Sequence, residues 1–302
     1  MPLNLLPYDS ETFEKRGSLY IVATPIGNMD DITLRAIKIL KMVDIVAAED
    51  TRHTGKLLSC HKIKAILTSY HKHNEQKQTS RLIEKLKEGL SVALVSNAGT
   101  PSLSDPGYSL VKKAIENSIR IIPIPGASAL ITALCAAGLP TDSFLFVGFP
   151  SKKKGKRHKQ LTRLADNPET IIFYESPKRL TRLLEEIIMI MGNRYGVLAR
   201  EMTKLYEEFI RGSMTDILCS LNRRDAVKGE SVLLVKGCAN KETDFSEVIR
   251  DEIIRGLEMQ DVGISELSRQ VAEKYGISRK KVYEEGLKLK RKQGDLRGSV
   301  LK

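Results

Sequence analysis

Two adjacent carboxylates and an arginine follow a short apolar run early in the chain, and these residue types suit proton transfer. Glu49, Asp50 and Arg52 come directly after residues 43–48, which read as a buried strand. A carboxylate held at a strand end can remove a proton from a hydroxyl, and an arginine can orient a phosphate. Successive strand residues point to different sides, so at most one of the acids should face a substrate. We take Glu49, Asp50 and Arg52 as candidate catalytic residues; the alternative is that Asp50 or Thr51 caps the next helix beside a local ion pair.

Three turns that contain glycine or proline each follow a further apolar run. They span residues 25–28, 99–101 and 125–128. Small residues let the backbone approach a ligand closely, and prolines fix the shape of a loop before a ligand arrives. The chain contains neither a G-x-G-x-x-G after its first strand nor a G-x-x-x-x-G-K-[ST], which argues against dinucleotide and P-loop nucleotide sites. The turns therefore predict a site for another compact ligand, although an ordinary strand-to-helix connection remains the alternative for the stretch 91–107 alone.

The elements that must position these residues alternate between strand and helix. Apolar runs at 18–24, 43–48, 91–95 and 119–124 lead into turns, and helical spacing follows several of them, with a crossover helix at 105–116 and an apolar helix at 129–137. This alternation predicts a mainly parallel sheet with helices on both faces, and it ends near residues 138–140. A second α/β unit begins at Ser143. Ligands of open α/β sheets bind outside the carboxyl ends of strands, where all the turns lie.

The net charge of +12 is concentrated in two stretches. Lys152, Lys153, Lys154, Lys156 and Arg157 belong to a run without a carboxylate, and residues 279–302 form a second basic stretch. Clustered basic residues neutralise phosphates, so these stretches favour a nucleic-acid partner; a solvated face is the alternative. Three helices are predicted at residues 244–257, 265–274 and 278–290, with a tight turn at 276–277 between the last two. They form either a helix-turn-helix or a small packing module.

Other features exclude several classes of protein. Cys60, Cys135, Cys219 and Cys238 are scattered without a C-x-x-C pair, which argues against zinc and a disulfide framework, and we predict no metal. No apolar run approaches the roughly 20 residues of a bilayer span, and no secretion signal is recognisable. We therefore expect a cytoplasmic protein without a membrane segment.

Six motifs occur in an order that resembles one family. They are residues 24–28 with 31–36, Glu49-Asp50-Thr51-Arg52, Ala98-Gly99-Thr100-Pro101 with Ser104-Asp105-Pro106-Gly107, Pro125-Gly126-Ala127-Ser128-Ala129, Phe173-Tyr174-Glu175-Ser176-Pro177, and Arg200-Glu201-Met202-Thr203-Lys204. From residue 17 to about 237 the chain resembles the ribosomal RNA small subunit methyltransferase I family, of the tetrapyrrole methylase-like superfamily. The resemblance implies S-adenosylmethionine as cofactor, a homodimer, and 2′-O-methylation of a decoding-region cytidine in the 16S ribosomal RNA of the small subunit.

The resemblance also implies a domain plan and a set of binding residues. The plan is an N-terminal tail at 1–16, α/β methylase subdomains at 17–140 and 141–240 with the cofactor in the cleft between them, and a small helical domain at 241–302. The implied cofactor residues are Pro25, Ile26, Gly27, Asn28, Ala98, Gly99, Thr100, Pro101, Leu103, Ser128, Ala129, Tyr174 and Ser231. The basic run from Lys152 to Arg157 acquires RNA as its partner.

At two places the sequence departs from the family pattern, which limits the residue roles that the resemblance implies. Asn97 stands where the family usually has aspartate, so a role that needs a carboxylate there is not carried over. Residues 148–150 read Gly-Phe-Pro where the family has Gly-Phe-Leu-Pro, which affects a loop expected to face RNA.

Two alternative functions explain less of the sequence. An enzyme of the same fold that methylates a small tetrapyrrole would have no use for the basic stretches. A non-catalytic RNA-binding protein would have no use for the cofactor-type turns.

Overall fold

A computed structural model describes residues 17–238, 247–258, 263–275 and 278–298. Residues 17–238 belong to one compact unit, and the described residues beyond 246 belong to another. In the described part of the chain, no helix is both long and apolar enough to cross a bilayer. Our division of the first unit near residue 140 stays a prediction.

The first sheet is five-stranded and wholly parallel, as the alternation of elements predicted. Its strands are β1 (Ser18–Val22), β2 (Ile45–Ala48), β3 (Ile66–Ser69), β4 (Val92–Val95) and β5 (Arg120–Ile124), in the order β3-β2-β4-β1-β5. The edge strand β3 was not predicted, because it is short and only partly buried, with Ile66 69% exposed. Its pairing with β2 places another loop at the edge of the sheet that carries Glu49.

Helices cover both faces of this sheet and define its core. They are α1 (Leu34–Met42), α2 (Thr51–Cys60), α3 (Glu75–Lys87) and α4 (Tyr108–Glu116), with a short 3-10 turn at Met29–Asp31. Leu40 and Leu57 pack on one face of the sheet, and Leu86 and Leu110 pack on the other. Helix α4 begins at Tyr108, whereas the sequence predicted a helix from residue 105. Asp105 therefore lies in the loop before the helix.

The second sheet is five-stranded and mixed. Its strands are β6 (Phe144–Gly148), β7 (Thr170–Glu175), β8 (Tyr195–Arg200), β9 (Glu208–Ser213) and β10 (Ser231–Val235), in the order β6-β7-β10-β8-β9. Only β6 and β7 pair in parallel; the remaining neighbours are antiparallel. Helices α6 (Lys154–Leu164), α7 (Pro177–Met191) and α8 (Met214–Asn222) pack on one face, around Phe173 and Leu184.

Helix α5 (Ala129–Ala137) follows the last strand of the first sheet and packs on the other face of the second. Leu130, Ala133 and Leu134 are buried there against Val197 and Leu234. The small side chains along this helix let it approach the sheet closely. Ile26 and Ala98, from turns at the carboxyl ends of the first sheet, belong to the same cluster, so these ends lie beside the second sheet.

Arg157 has a different role from the one that the sequence suggested. Its side chain is buried; Nε and Nη2 each donate to Glu186 at 2.6 Å, and Nη1 donates to the carbonyl of Ser151 at 2.9 Å. A guanidinium held in this way is occupied within the protein. We therefore correct the assignment of Arg157 as an RNA contact: it anchors the start of α6 to α7.

The second unit contains α9 (Glu247–Glu258), α10 (Ile264–Tyr275) and α11 (Arg279–Gly298). Ile249, Ile253, Leu267, Val271 and Val282 lie in its buried core, and the pairs Ile249/Ile253 and Leu267/Val271 are each four positions apart, as on one face of a helix. The predicted turn at 276–277 lies outside the described residues. The choice between a nucleic-acid-binding unit and a packing module stays open.

Candidate active site

A cavity of about 410 Å³ opens between the two sheets. This volume lies in the range of roughly 300–1,000 Å³ that is typical of small-molecule sites. Its wall is formed by Ile26, Glu49, Asn97, Ala98, Gly99, Thr100, Leu103, Ser104, Asp105, Ser128, Ala129, Phe149, Tyr174, Glu175, Ser176, Pro177, Met202, Gly229, Glu230, Ser231 and Val232. The carboxyl ends of β2 and β4 thus contribute to the same cavity as β7 and β10.

The predicted site residues divide between the wall of this cavity and its surroundings. Those on the wall are Glu49, Ile26, Ala98, Gly99, Thr100, Leu103, Ser128, Ala129, Tyr174 and Ser231. Those off the wall are Pro25, Gly27, Asn28, Pro101, Asp50, Arg52, Lys152, Lys153, Lys154 and Lys156. The lysines begin three positions after Phe149, which lines the cavity. The structure therefore gathers the predicted turns into one site and leaves the lysines close to it in sequence.

Backbone hydrogen bonds tie the three glycine- and proline-containing turns to one another. Thr24 and Gly99 exchange both N–H···O bonds at 2.9 Å, and the Thr24 hydroxyl donates to the Ser96 carbonyl at 3.1 Å. The Thr100 hydroxyl donates to the carbonyl of Ala127 at 3.2 Å. Gly99 has a φ of 76°, a left-handed conformation that glycine adopts at least cost. The polar backbone around the cavity is thus fixed by the protein's own bonds.

The second half of the first turn faces the loop after β8 instead of the cavity. A Cβ added to Gly27 would lie 2.6 Å from the Thr203 hydroxyl, and the amide of Asn28 donates to that hydroxyl at 3.0 Å. The Asn28 side chain in turn accepts from the amide of Asp30. Gly27 and Asn28 therefore hold the first turn against the second sheet.

The adjacent carboxylates point in different directions. Asp50 Oδ1 accepts from the amide of Arg52 at 2.9 Å, and its other oxygen pairs with the exposed Arg52 guanidinium at 2.8 Å. These contacts hold the pKa of Asp50 far below its usual range. Glu49 lines the cavity and accepts from the amide of Asn97 at 3.2 Å. Asp50 is thus the cap of α2, and Glu49 is the acid that faces the cavity.

Asp105 is an acidic residue on the cavity wall that our sequence analysis did not select. Burial and, to a smaller extent, the nearby charge of Glu49 together raise its pKa to about 6, against a still smaller opposing effect of a hydrogen bond from Ser96. The motif that contains Asp105 was recognised, but residue 105 was assigned to the start of a helix. A proline at position 106, one residue before the observed cap, was the available signal for a loop.

Asn97 connects the ends of β2 and β4 without adding a charge. Its Oδ1 accepts from the amide of Asp50 at 3.2 Å, while its own amide donates to Glu49. An aspartate at this position would place another negative charge beside Glu49 and Asp105. The departure from the family pattern therefore keeps the hydrogen bond and lowers the negative charge of the cavity.

The second sheet closes the cavity with ordered polar groups. The Tyr174 hydroxyl accepts from the amide of Leu130 at 3.0 Å, and burial raises the pKa of Tyr174 to about 12. The Ser231 hydroxyl donates to the Glu175 carbonyl at 2.6 Å, so it is occupied by the protein. The carboxylate of Glu175 is buried and paired with Arg179. Glu175 is thus neutralised, and Glu230, which also lines the cavity, pairs with Lys204 at 3.1 Å. This leaves Glu49 and Asp105 as the acid pair of the wall.

The shortened segment at 148–150 also contributes to the site. Gly148 has a φ of 69°, and a Cβ there would lie 2.6 Å from the Ser104 hydroxyl. The next residue, Phe149, is half-exposed and its ring centroid lies 5.6 Å from that of Tyr174. This segment therefore lies against the loop that leads to Asp105.

Comparison with known proteins agrees with this architecture. The family model of the tetrapyrrole (corrin/porphyrin) methylases matches residues 18–218. Among solved structures, the methyltransferase CobJ superposes with a TM-score of 0.56 at 19% identity, over 74% of this chain and 95% of its own. A uroporphyrin-III C-methyltransferase from Thermus thermophilus, solved with S-adenosylhomocysteine, gives 0.52 at 15% identity, over 73% and 97%. At such identities the likeness shows the fold.

Similarity to curated relatives is much closer. The ribosomal RNA small subunit methyltransferase I of Halalkalibacterium halodurans is 50% identical over 228 residues, which cover 76% of this chain and 78% of the relative. The enzyme of the same name from Haemophilus influenzae is 44% identical over 276 residues, which cover 90% of this chain and 96% of the relative. The chain therefore belongs to the ribosomal RNA small subunit methyltransferase I family, within the tetrapyrrole methylases.

Proposed function

We propose that this protein transfers the methyl group of S-adenosylmethionine to the 2′-hydroxyl of a decoding-region cytidine in 16S ribosomal RNA. Membership of the family makes the chain a ribosomal RNA methyltransferase with S-adenosylmethionine as methyl donor. The nucleotide, its ribose oxygen and the residues that act on it are our proposals. The observation that carries transfer to a hydroxyl group is the acid pair Glu49 and Asp105 on the wall of a preorganised cavity. The decoding-region cytidine follows from the family resemblance.

The chemistry of the cavity wall suits S-adenosylmethionine. Apolar groups from Ile26, Leu103, Met202 and Val232 offer contacts for an adenine ring, and the bonded turns offer fixed backbone polar groups. The carboxylates provide negative charge for the positively charged parts of the molecule. The residues that would hold it are Ile26, the turn at 97–101, Ser128, Ala129, Tyr174 and Val232.

When bound, the cofactor supplies a methyl group that is activated by its positively charged sulfur. The residues of the chain align the acceptor and remove its proton, and alignment accounts for much of the rate in such a transfer. A pKa of about 6 leaves Asp105 ionised at neutral pH yet basic enough to receive a proton. We therefore assign Asp105 as the proton acceptor. The negative charge of Glu49 helps to keep the pKa of Asp105 raised. Asp50 and Arg52 pair with each other and stabilise the start of α2.

The lysines of the basic run lie where an RNA substrate would enter. Lys152, Lys153, Lys154 and Lys156 are exposed and follow the cavity-lining Phe149. Their positive charges complement the phosphates on one side of the target nucleotide. A ribosomal RNA substrate also requires a cytoplasmic location.

A homodimer is the assembly that we propose. Exposed apolar side chains lie at the starts of α1 and α5, with Leu34 78% and Ile131 51% exposed. The Thr33 hydroxyl, at the start of α1, donates to the carbonyl of Pro125, four residues before α5. Exposed apolar side chains in this region favour an interface between copies. Light scattering should therefore give a dimer for the wild-type protein and a monomer for Ile131→Glu, whereas a monomeric wild type would contradict the proposal.

Gly99→Ala should weaken binding of S-adenosylmethionine. The added Cβ would lie 3.4 Å from Ile26 Cγ2 on the cavity wall, so it would take up space that the cofactor uses. Gly138→Ala is the matched control, because Gly138 has a φ of 73° and no atom within 4 Å of the added Cβ. Both variants carry the same backbone strain. Calorimetry should show reduced affinity for Gly99→Ala alone; equal affinities would remove this loop from the cofactor site.

Asp105→Asn should reduce methyl transfer by roughly 10²-fold or more, because the amide cannot accept the proton. Its loss of cofactor affinity should be small beside this loss of rate, because Glu49 keeps a negative charge on the cavity wall. Asp50→Ala should instead lower the melting temperature, through loss of the α2 cap, and keep turnover near normal. Single-turnover rates on small ribosomal subunits, measured beside thermal melts, check both. An active Asp105→Asn variant would place the proton acceptor elsewhere.

The rate of methyl transfer should rise with pH through about 6, as Asp105 loses its proton. Glu49→Gln removes the neighbouring negative charge, so the rise should move to lower pH, although burial still keeps the pKa of Asp105 above its usual value. The control Asp50→Ala should leave the midpoint in place. A pH profile of single-turnover rates tests this, and a midpoint unaffected by Glu49→Gln would refute the coupling of the two acids.

Replacement of Lys152, Lys153, Lys154 and Lys156 with alanine should weaken RNA binding and flatten its salt dependence. Cofactor affinity and the melting temperature should not change. Arg157→Ala should instead destabilise the protein, because the buried Glu186 would lose its two 2.6 Å contacts and keep the longer one to the exposed Arg182, at 3.4 Å. Filter binding at several salt concentrations and thermal melts distinguish the two effects. A salt slope equal to that of the wild type would show that these lysines only face solvent.

A further inference from the structure

A second group of basic side chains follows the carboxyl ends of β2 and β3. These strands are parallel neighbours, and their last residues, Ala48 and Ser69, lie opposite each other. The segments that follow therefore leave the same edge of the sheet side by side. Their exposed basic residues are Arg52, His53, Lys56, Lys72, His73 and Lys77. We call this group the edge surface.

Little negative charge balances the edge surface. Asp50 pairs with Arg52, but Lys56, Lys72 and Lys77 form no ion pair among the residues that the structure describes. Two lysines elsewhere on the first subdomain do pair with carboxylates: Lys85 with Glu88, and Lys113 with Glu116. A group of lysines without carboxylate partners leaves its charges available to an anion.

The loop that carries Lys72 and His73 is held in place from both sides. The side-chain amide of Asn74 donates to the carbonyl of Ser69 at 3.1 Å, and its oxygen accepts from the amide of His71 at 2.8 Å. Tyr70 is fully buried beneath the loop. Lys72 and His73 are therefore presented on an ordered backbone, which lowers the entropy cost of binding.

The same segment is bonded to the loop that contains Asp105. Glu75 Oε1 accepts from the Tyr70 hydroxyl at 3.2 Å and from the amide of Gly107 at 3.3 Å. The carboxylate of Glu75 is thus turned inward and does not neutralise the surface. It connects the start of α3 to the turn that follows Asp105, so the edge surface adjoins the acid pair of the cavity.

We propose that the edge surface binds the RNA sugar–phosphate backbone that flanks the target nucleotide, on the Glu49 side of the cavity. This proposal rests on the proposed function, which supplies RNA as the substrate. The lysines before and within α6 serve one side, and the edge surface serves the other. The phosphates on either side of the target nucleotide then contact basic side chains, and the nucleotide itself reaches the acid pair. This arrangement keeps the phosphates away from the carboxylates of the cavity.

The test compares two triple variants that remove the same charge. Lys56, Lys72 and Lys77 are changed to alanine in the edge-surface variant, and Lys38, Lys41 and Lys64 in the control. The control lysines are also exposed, but they lie in the later part of α1 and just before β3, toward the amino ends of the strands. The probe is a single-stranded oligoribonucleotide, whose affinity is measured over a range of potassium chloride concentrations.

For single strands each lost phosphate contact lowers the salt slope by about 0.7, so the edge-surface variant should lose about 2 and the control close to none. Thermal melts and cofactor calorimetry should match the wild type for both. An unchanged slope in the edge-surface variant, or an equal fall in the control, would overturn the inference.

Transfer of labelled methyl groups to small ribosomal subunits separates this inference from the proposed function. The edge-surface variant should transfer more slowly than the control at limiting subunit concentration and approach the wild-type rate at saturation. A wild-type protein that transfers no methyl group to ribosomal RNA would refute the function, while a reduced slope in the edge-surface variant would still support an RNA-binding surface. Normal slopes together with active transfer would refute the edge surface alone.

Discussion

The packing of α5 on the second sheet is the interaction on which the rest of the structure depends. This helix follows the last strand of the first sheet, yet Leu130, Ala133 and Leu134 are buried against the second. The cavity exists because this packing brings the turns of one sheet to the face of the other. A bulky residue in place of Ala133 would separate the walls, since a close-packed interface cannot accommodate additional volume without displacement.

Preorganisation is the property that this packing makes possible. Hydrogen bonds between Thr24 and Gly99, and between Thr100 and Ala127, fix the turns before any ligand binds. The Tyr174 hydroxyl receives the amide of Leu130, so the second sheet also orients the start of α5. Polar groups held in this way need little rearrangement on binding, which lowers the entropy cost of placing donor and acceptor in line.

The distribution of charge follows from the same geometry. The carboxylates of Glu49 and Asp105 line the cavity, and burial of Asp105 raises its pKa. Asn97 limits this negative charge while keeping its hydrogen bonds. The basic groups lie outside the cavity, on the segments after Phe149 and after β2 and β3. A polyanion can therefore approach along positive surfaces and present one nucleotide to an acidic site.

A mainly parallel first sheet and the turns at its carboxyl ends could be predicted from the sequence, because apolar runs, glycine and proline act through local geometry. Six motifs in a characteristic order indicated the family. The sequence also predicted that Glu49 and Asp50 would diverge, since strand side chains alternate. The three-dimensional structure was needed to show which acid faces the cavity, that Asp105 joins Glu49, and that Arg157 is buried against Glu186. It also revealed β3, whose short and half-exposed sequence gives little local signal. These outcomes depend on contacts between residues distant in the chain, and local spacing does not contain that information.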